Sequence, residues 1–294
     1  MDAASDFTTV ALIGKYRSRE IAESLRVLAA FLAGRGIEVL LEEATAAAVG
    51  ANGYAVESYA GIGARARLAV VLGGDGTMLN AARHLAGFDV PLVGVNQGRL
   101  GFMTDIALEA MIPSVEALLS GKFTRERRVL LDAEVMRGGA AAMQTRALND
   151  VVVNKGESGR MIELEVKVDG ELLHVLRADG MIVATPTGST AYALSANGPI
   201  LHPAVPGLAI VPLCPHALSN RPITVGDGST IEIALLPPHE ARVHFDGQSH
   251  FDARAGDCVR IRRSRHGILL LHPPGYNYFA MLREKLHWSS TPRH

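Results

Sequence analysis

The chain has 294 residues, 48% hydrophobic and 20% charged, which excludes a disordered chain and fits two globular domains at roughly 100–200 residues each. Lys and Arg number 29 against 30 Asp and Glu, and aromatics make up 5%; this excludes nucleic-acid and membrane partners that need clustered positive charge or a stacking platform. Two cysteines, Cys214 and Cys258, exclude a disulfide framework or four-thiolate zinc site, and the start MDAASDFTTVALIG lacks a basic-then-apolar leader, so the expected location is the cytoplasm.

Residues 7–13 read as a buried strand, 19–34 as an amphipathic helix closing on Gly34, and 37–41 as a second strand. An Ala- and Gly-rich stretch after it reads as a soft connection. Leu68–Leu72 and 91–95 are further strands, with a helix over 78–86 between them. Strands alternating with helices predict a parallel α/β sheet. From about Phe123 the texture becomes β-rich and largely antiparallel. Runs at 163–168 and 172–176 flank Asp169-Gly170, a hairpin-turn dipeptide, and extended runs follow at 231–236, 242–245, 258–262 and 268–271. The tail at 278–286 returns to helical spacing. The expected division is an α/β domain over 1–122, with the tail 273–294 packing back on it, and a β-rich domain over 123–272.

Residues 180–220 contain no Asp, Glu, Lys or Arg, but they hold six prolines and four glycines. That density of breakers excludes a bilayer helix. A buried segment rich in neutral hydrogen-bonding groups suits the wall of a ligand pocket; a Pro-rich wrapping loop is the simpler alternative. Within it, Cys214 between two prolines reads as a buried structural thiol.

The chemistry centres on Gly73-Gly74-Asp75-Gly76-Thr77, a turn between the strand at Leu68–Leu72 and the helix after it. Open α/β sheets bind ligands at the carboxyl ends of their strands. Glycines let the backbone approach a phosphate, and a helix N-terminus favours negative charge. The loop is neither a Walker A loop nor Gly-x-Gly-x-x-Gly. A carboxylate inside such a loop has a task of its own, and accepting a hydroxyl proton during phosphoryl transfer is one. Asp75 as a simple helix cap is the alternative, but capping does not account for three surrounding glycines.

Gly-Gly-Asp-Gly-Thr resembles the signature shared by NAD kinases, diacylglycerol-kinase-like lipid kinases and phosphofructokinases. The remaining motifs choose among them. The run from Asn96 through Gln97-Gly98-Arg99-Leu100-Gly101-Phe102-Met103-Thr104 to Asp105 resembles the NAD kinase pattern. So do Leu148-Asn149-Asp150, Arg177-Ala178-Asp179-Gly180, the block Thr185-Pro186-Thr187-Gly188-Ser189-Thr190-Ala191-Tyr192, the stretch from Cys214 to Pro222, Asp246-Gly247-Gln248, and the closing Leu282 to Trp288. The order holds from about residue 70 to 288. Asn80 and Gln97 depart from the pattern, which has basic residues there.

Resemblance to the bacterial NAD kinases implies a Rossmann-like N-terminal α/β domain with a parallel sheet and an all-β, sandwich-like C-terminal domain, with the active site between them. It implies transfer of the γ-phosphoryl of ATP to the 2′-hydroxyl of the adenosine ribose of NAD, giving NADP and ADP. Asp75 is then the base, and Gly73, Gly74, Gly76 and Thr77 handle phosphates. Asn149 and Asp150 hold the adenosine part of NAD; Thr187, Gly188, Ser189, Thr190, Ala191, Tyr192 and Ser195 form the adjoining pocket, with Tyr192 packing on a ring. Arg177 and Asp179 reach the nicotinamide side, from a neighbouring subunit of a homo-oligomer (dimer or tetramer) with shared sites. Arg160 and Gln248 are further carried-over contacts. A divalent cation, magnesium, is implied as cofactor, held mainly by substrate phosphates and water, with no dedicated protein site. The rivals are a lipid or sugar kinase using the same loop and a dinucleotide-binding sensor. The neutral polar block at 185–195 favours a nucleotide, and Asp75 favours an enzyme.

Two other signals read as structural. His244, Asp246, His250 and Asp252 suit a polar hairpin better than a metal site, because no matching His/Cys spacing accompanies them. Arg260, Arg262, Arg263 and Arg265 suit a charged edge strand.

Overall fold

The computed structural model describes residues 7–14, 19–51, 53–98, 101–157 and 159–288. Arg99 and Leu100 of the motif, the first six residues and the last six lie outside the described residues. The chain divides into two compact units, Met1–Glu126 with Ile268–His294, and Arg127–Gly267.

In the first unit, strands Thr9–Gly14, Glu38–Glu42, Leu68–Leu72 and Leu92–Asn96 are apolar and almost wholly buried, as strands covered on both faces must be. All pair in parallel. The short strand Ala55–Glu57 extends one edge, and Leu270 pairs with Leu92 on the other side. The chain runs outward through Glu38–Glu42 and Ala55–Glu57, then returns to the opposite flank of Thr9–Gly14. The sheet therefore switches direction between Thr9–Gly14 and Leu68–Leu72, the place where such sheets open a ligand crevice. The helix Arg19–Ala33 buries Ile21, Leu25, Leu28 and Leu32 against the sheet, at the i, i+3/i+4 spacing of an amphipathic face.

The stretch expected as a soft connection instead contains helices Glu43–Val49 and Tyr59–Arg65. Caps explain the difference. Glu42 accepts the backbone N–H groups of Ala44 and Thr45, and the Ser58 hydroxyl accepts that of Gly61, so short, Ala-rich segments nucleate despite a weak hydrophobic pattern. The helix Tyr278–Leu286 lies where expected, N-capped by Asn277 and closed by His287 in the left-handed region.

The second unit is a two-sheet sandwich. One antiparallel sheet runs in the order Ile223–Gly226, Gly207–Leu213, Gly180–Ala184, Asp150–Asn154, Ala241–Phe245, Ser249–Ala253. The other contains Glu171–Ala178, Ile162–Val168, Ile231–Leu235 and the first part of Cys258–His272, followed by the hairpin strands Thr124–Arg137 and Ala140–Ala147. Leu164, Val166, Ile233 and Ile261 meet Val151, Val153, Val183 and Phe245 in one core. Asp169 (φ 52°) and Gly170 (φ 84°) form the expected two-residue hairpin turn.

The charge-free run has a structural cause in its strands, whereas the connection between them is partly exposed, Tyr192 at 47% and Val205 at 41%. Val151 and Val183 face the inter-sheet core, while Val152, Ile182, Ala184 and Val211 face a second cluster with Ala193 and Leu201. Both faces of these strands are buried, so a charge has no solvated position. Burial of the last strand, Gly207–Leu213, ends at Leu213: Cys214 is exposed, with φ 43°, and Leu218 is 90% exposed. The expected buried thiol is therefore corrected, because Cys214 begins a turn that leaves the sheet.

Two strand expectations also change. Runs 258–262 and 268–271 are one strand, Cys258–His272. It is interior rather than an edge, flanked by Ile231–Leu235 and Thr124–Arg137. Three of its four arginines are matched by acids on neighbouring segments: Arg260 with Glu232 at 3.1 Å, Arg262 with Glu134 at 3.4 Å, and Arg263 with Asp227.

Candidate active site

Leu68–Leu72 and Leu92–Asn96 are parallel neighbours that end together, Leu72 opposite Val95. The loops that follow them meet. Asp75 is the first residue of the helix Asp75–Leu85, whose N-cap is Gly74 without a side-chain cap bond. The Asp75 carboxylate does not cap its own helix. Its Oδ2 accepts the Phe102 N–H at 2.9 Å, and its Oδ1 accepts the Met103 N–H at 3.0 Å and the Thr104 hydroxyl at 3.3 Å. A carboxylate offers about four acceptor sites, so capacity remains for one further donor. Glycine at 101 is a steric requirement, since a Cβ there would stand 2.1 Å from Asp75 Oδ1. Asn96 fastens the same loop, donating to Thr104 Oγ1 at 2.9 Å and accepting the Gly98 N–H at 2.7 Å.

Around the turn, Gly73 donates its N–H to Val95 and so belongs to the sheet edge. At Gly74 no protein atom lies within 4 Å of an added Cβ, and φ is −95°. Nothing in the fold itself requires glycine there. Gly76 is exposed, and Thr77 donates its N–H back to Gly74. Asn80, where the family pattern has a basic residue, donates to the Tyr59 hydroxyl at 3.1 Å.

In the second unit a cavity of about 340 Å³ opens at the start of Asp150–Asn154, lined by Asn149, Asp150, Val152, Asn154, Ala191, Tyr192, His244, Asp246 and Gly247. Four of these, Asn149, Asp150, Ala191 and Tyr192, are sequence-derived site residues. Tyr192 is 47% exposed, an aromatic face open to a ligand. The loop at 148–150 is gripped from both sides. Asp246 accepts its N–H groups, and the Thr185 hydroxyl donates to the Leu148 carbonyl at 2.5 Å. A Cβ at Gly188 would lie 2.0 Å from the Asn149 carbonyl oxygen, so only glycine permits this backbone approach.

Burial shifts two titratable groups of the cavity. Burial, and then the neighbouring Asp246 charge, push the Asp150 carboxyl up to about 7. Burial holds the half-buried His244 below the ordinary histidine range.

Several predicted contacts serve the scaffold. Ser189 is fully buried, donating to the Pro186 carbonyl at 2.6 Å and accepting the Leu201 N–H at 2.9 Å. Thr187 accepts from the buried Arg128 at 3.2 Å, and Thr190 donates to the Thr187 carbonyl at 3.1 Å. Ser195 is exposed on the short helix Tyr192–Ser195. Gln248 closes the turn after Asp246 and Gly247.

Arg177, Asp179 and Arg160 do not line this cavity. Arg177 is exposed, and Asp179 pairs with Lys155 at 2.8 Å. Arg160 borders a separate cleft of about 780 Å³ whose walls include Arg137, Lys155, Arg242 and Arg254. His244 and Asp246, read from the sequence as members of a polar hairpin and given no site role, line the cavity. The signal for Asp246 was the Asp-Gly-Gln turn, visible only as part of the resemblance. Among the described residues no three His, Cys, Asp or Glu side chains gather as a cation cage, and no helix is long and apolar enough to cross a membrane.

The model of the ATP-NAD kinase N-terminal domain matches residues 10–123, and that of the ATP-NAD kinase C-terminal domain matches 148–272. NAD kinase of Aromatoleum aromaticum is 62% identical over 99% of this chain and 97% of its own, and that of Azoarcus sp. is 61% identical over 99% of both. Among solved structures, yeast NADH kinase complexed with NADH superposes with a TM-score of 0.90 at 25% identity, covering 98% of this chain and 89% of that one. An NAD kinase from Archaeoglobus fulgidus in complex with ATP gives 0.75 at 26% identity, covering 95% and 98%. Matched by both domain models, and more than 60% identical to relatives end to end, the chain belongs to the ATP-NAD kinase family.

Proposed function

We propose a division of labour for the NAD kinase activity of this chain, the transfer of the γ-phosphoryl of ATP to the 2′-hydroxyl of the adenosine ribose of NAD, giving NADP and ADP. Asp75 is the base. The observation that carries this is a carboxylate fixed by three donors of the 102–104 loop with acceptor capacity to spare. It orients the ribose hydroxyl and takes its proton as the oxygen attacks the γ-phosphorus, where positioning supplies much of the rate. The open space at Gly74 suits a phosphate approaching the backbone at a helix start, with Gly73, Gly76 and Thr77 completing the turn.

Asn149 and Asp150 bind the adenosine part of NAD, and the Tyr192 ring packs on it beside Ala191. Thr187, Gly188, Ser189 and Thr190 hold that wall in shape, with Ser195 and Gln248 at its rim. Arg177 and Asp179 act on the nicotinamide side of NAD held by a second copy, in a homo-oligomer with shared sites, and Arg160 contributes positive charge from its own cleft. The chain works in the cytoplasm. Among the described residues no acidic cage gathers; magnesium held mainly by the substrate phosphates would neutralise their charge.

The purified chain incubated with NAD, ATP and magnesium forms NADP; binding of NAD without NADP formation would leave a sensor. Subunit sharing is tested by mixing Asp75→Asn with Asp179→Ala protomers. Partial activity returns in hybrids, and no recovery after subunit exchange verified by mass spectrometry removes the shared site.

A further inference from the structure

Asp246 carries none of the roles above, yet it holds the loop that carries two of them. Its Oδ2 accepts the Leu148 N–H at 2.9 Å, and its Oδ1 accepts those of Asn149 at 2.7 Å and Asp150 at 3.2 Å. Its own N–H donates to the Asp150 carbonyl at 3.0 Å. The residue stands in the left-handed region, φ 53°, followed by Gly247 at φ 62°. Asp, Asn and Gly are the residues that enter that region readily. From the opposite side Thr185 grips the carbonyls, its hydroxyl reaching Leu148 at 2.5 Å and its N–H reaching Asn149 at 2.9 Å.

We propose that Asp246 is a positioning residue for NAD, a carboxylate clamp that fixes the Leu148-Asn149-Asp150 backbone so that Asn149 and Asp150 present a preformed adenosine contact. The proposal rests on the reading that these two residues bind adenosine. Three successive N–H groups converging on one carboxylate are charge-assisted hydrogen bonds, roughly twice as strong as neutral ones. The three-residue turn Asp246-Gly247-Gln248 between Phe245 and Ser249 needs no such bonds to close. What they accomplish is to hold the neighbouring loop in one conformation before the ligand arrives, which removes an ordering cost from binding.

Two substitutions keep the turn and remove the clamp. Asp246→Asn retains size and the left-handed preference, but it offers one acceptor oxygen and turns an amide donor towards an N–H. Asp246→Gly retains the backbone conformation and offers no acceptor. Both are expected to raise KM for NAD by about tenfold or more, with KM for ATP unchanged within about twofold. A purely structural role would lower Tm without separating the two constants.

Asn149→Ala is measured alongside. If it raises KM for NAD while the two Asp246 variants do not, the clamp is overturned and the adenosine reading stands. If Asn149→Ala leaves KM for NAD unchanged, the adenosine reading fails and the clamp with it. Should the Asp246 variants not fold, amide hydrogen exchange in the unaltered protein decides. Slow exchange at Leu148, Asn149 and Asp150 before NAD is added supports the clamp, and fast exchange that slows only with NAD overturns it.

Discussion

Asp75 Oδ1 and the Met103 backbone N–H meet at 3.0 Å, so one carboxylate ties the glycine turn after one strand to the loop after its parallel neighbour. The residue proposed as the base is also the residue that organises the loop facing it. Any substitution at Asp75 therefore touches chemistry and local structure together, and the two can be separated only by measuring both.

Asp75→Asn should lower kcat by about 10²–10⁴-fold. It also places an amide donor against Phe102 or Met103 N–H, so a stability loss of about 1–3 kcal/mol accompanies it. Steady-state kinetics and thermal melts on the same preparation check this. A stability loss of that size with kcat of the folded fraction within tenfold of the unaltered enzyme would reduce Asp75 to a loop fastener.

Gly188→Ala tests the close approach to Asn149. The added methyl would stand 2.0 Å from a backbone carbonyl oxygen, which cannot move as a flexible side chain would. The Asn149 loop must shift, raising KM for NAD and lowering Tm, while KM for ATP stays near its original value. Equal changes in the two KM values would mean that the effect spreads beyond the adenosine cavity.

Tyr192→Ala removes an exposed aromatic face from the cavity wall. Losing such a face costs on the order of 1 kcal/mol, so KM for NAD should rise about fivefold to tenfold with Tm little changed, because the ring is half in solvent. Unchanged NAD kinetics in the folded variant would take Tyr192 out of the site.

Asp150 predicts a pH dependence of stability. Its carboxyl is raised from an ordinary 3.8 to about 7 in the folded chain, first by burial and then by Asp246. Between these values the folded state holds a proton that the unfolded state has released, so stability from this group is present below about pH 4 and is lost as pH rises through 7. Asp150→Asn is neutral throughout. Its Tm relative to the unaltered protein should therefore climb between pH 5 and pH 8, and a constant difference would show that Asp150 titrates normally.

Much of the fold was legible along the chain. The strand Leu68–Leu72, the Asp169-Gly170 turn and the helix Tyr278–Leu286 lie where hydrophobic period and turn chemistry put them, because those signals act within a few residues. The glycine turn announced itself in the same way, as did the charge-free run, whose strands are buried on both faces. Tertiary structure alone decided which groups those elements bring together. Asp75 finds its partners 27 to 29 residues away, and Asp246 reaches back 96 to 98 residues to the Asn149 loop. Gly188 is required because Asn149, far earlier in the chain, packs on it, and Cys214 is exposed because its turn leaves the sheet. Contacts between chain-distant backbone groups leave no period or spacing in the sequence. The role proposed for Asp75 was drawn from its neighbours in sequence, whereas the hydrogen bonds that hold it and those of Asp246 to the Asn149 loop exist only once the strands have paired.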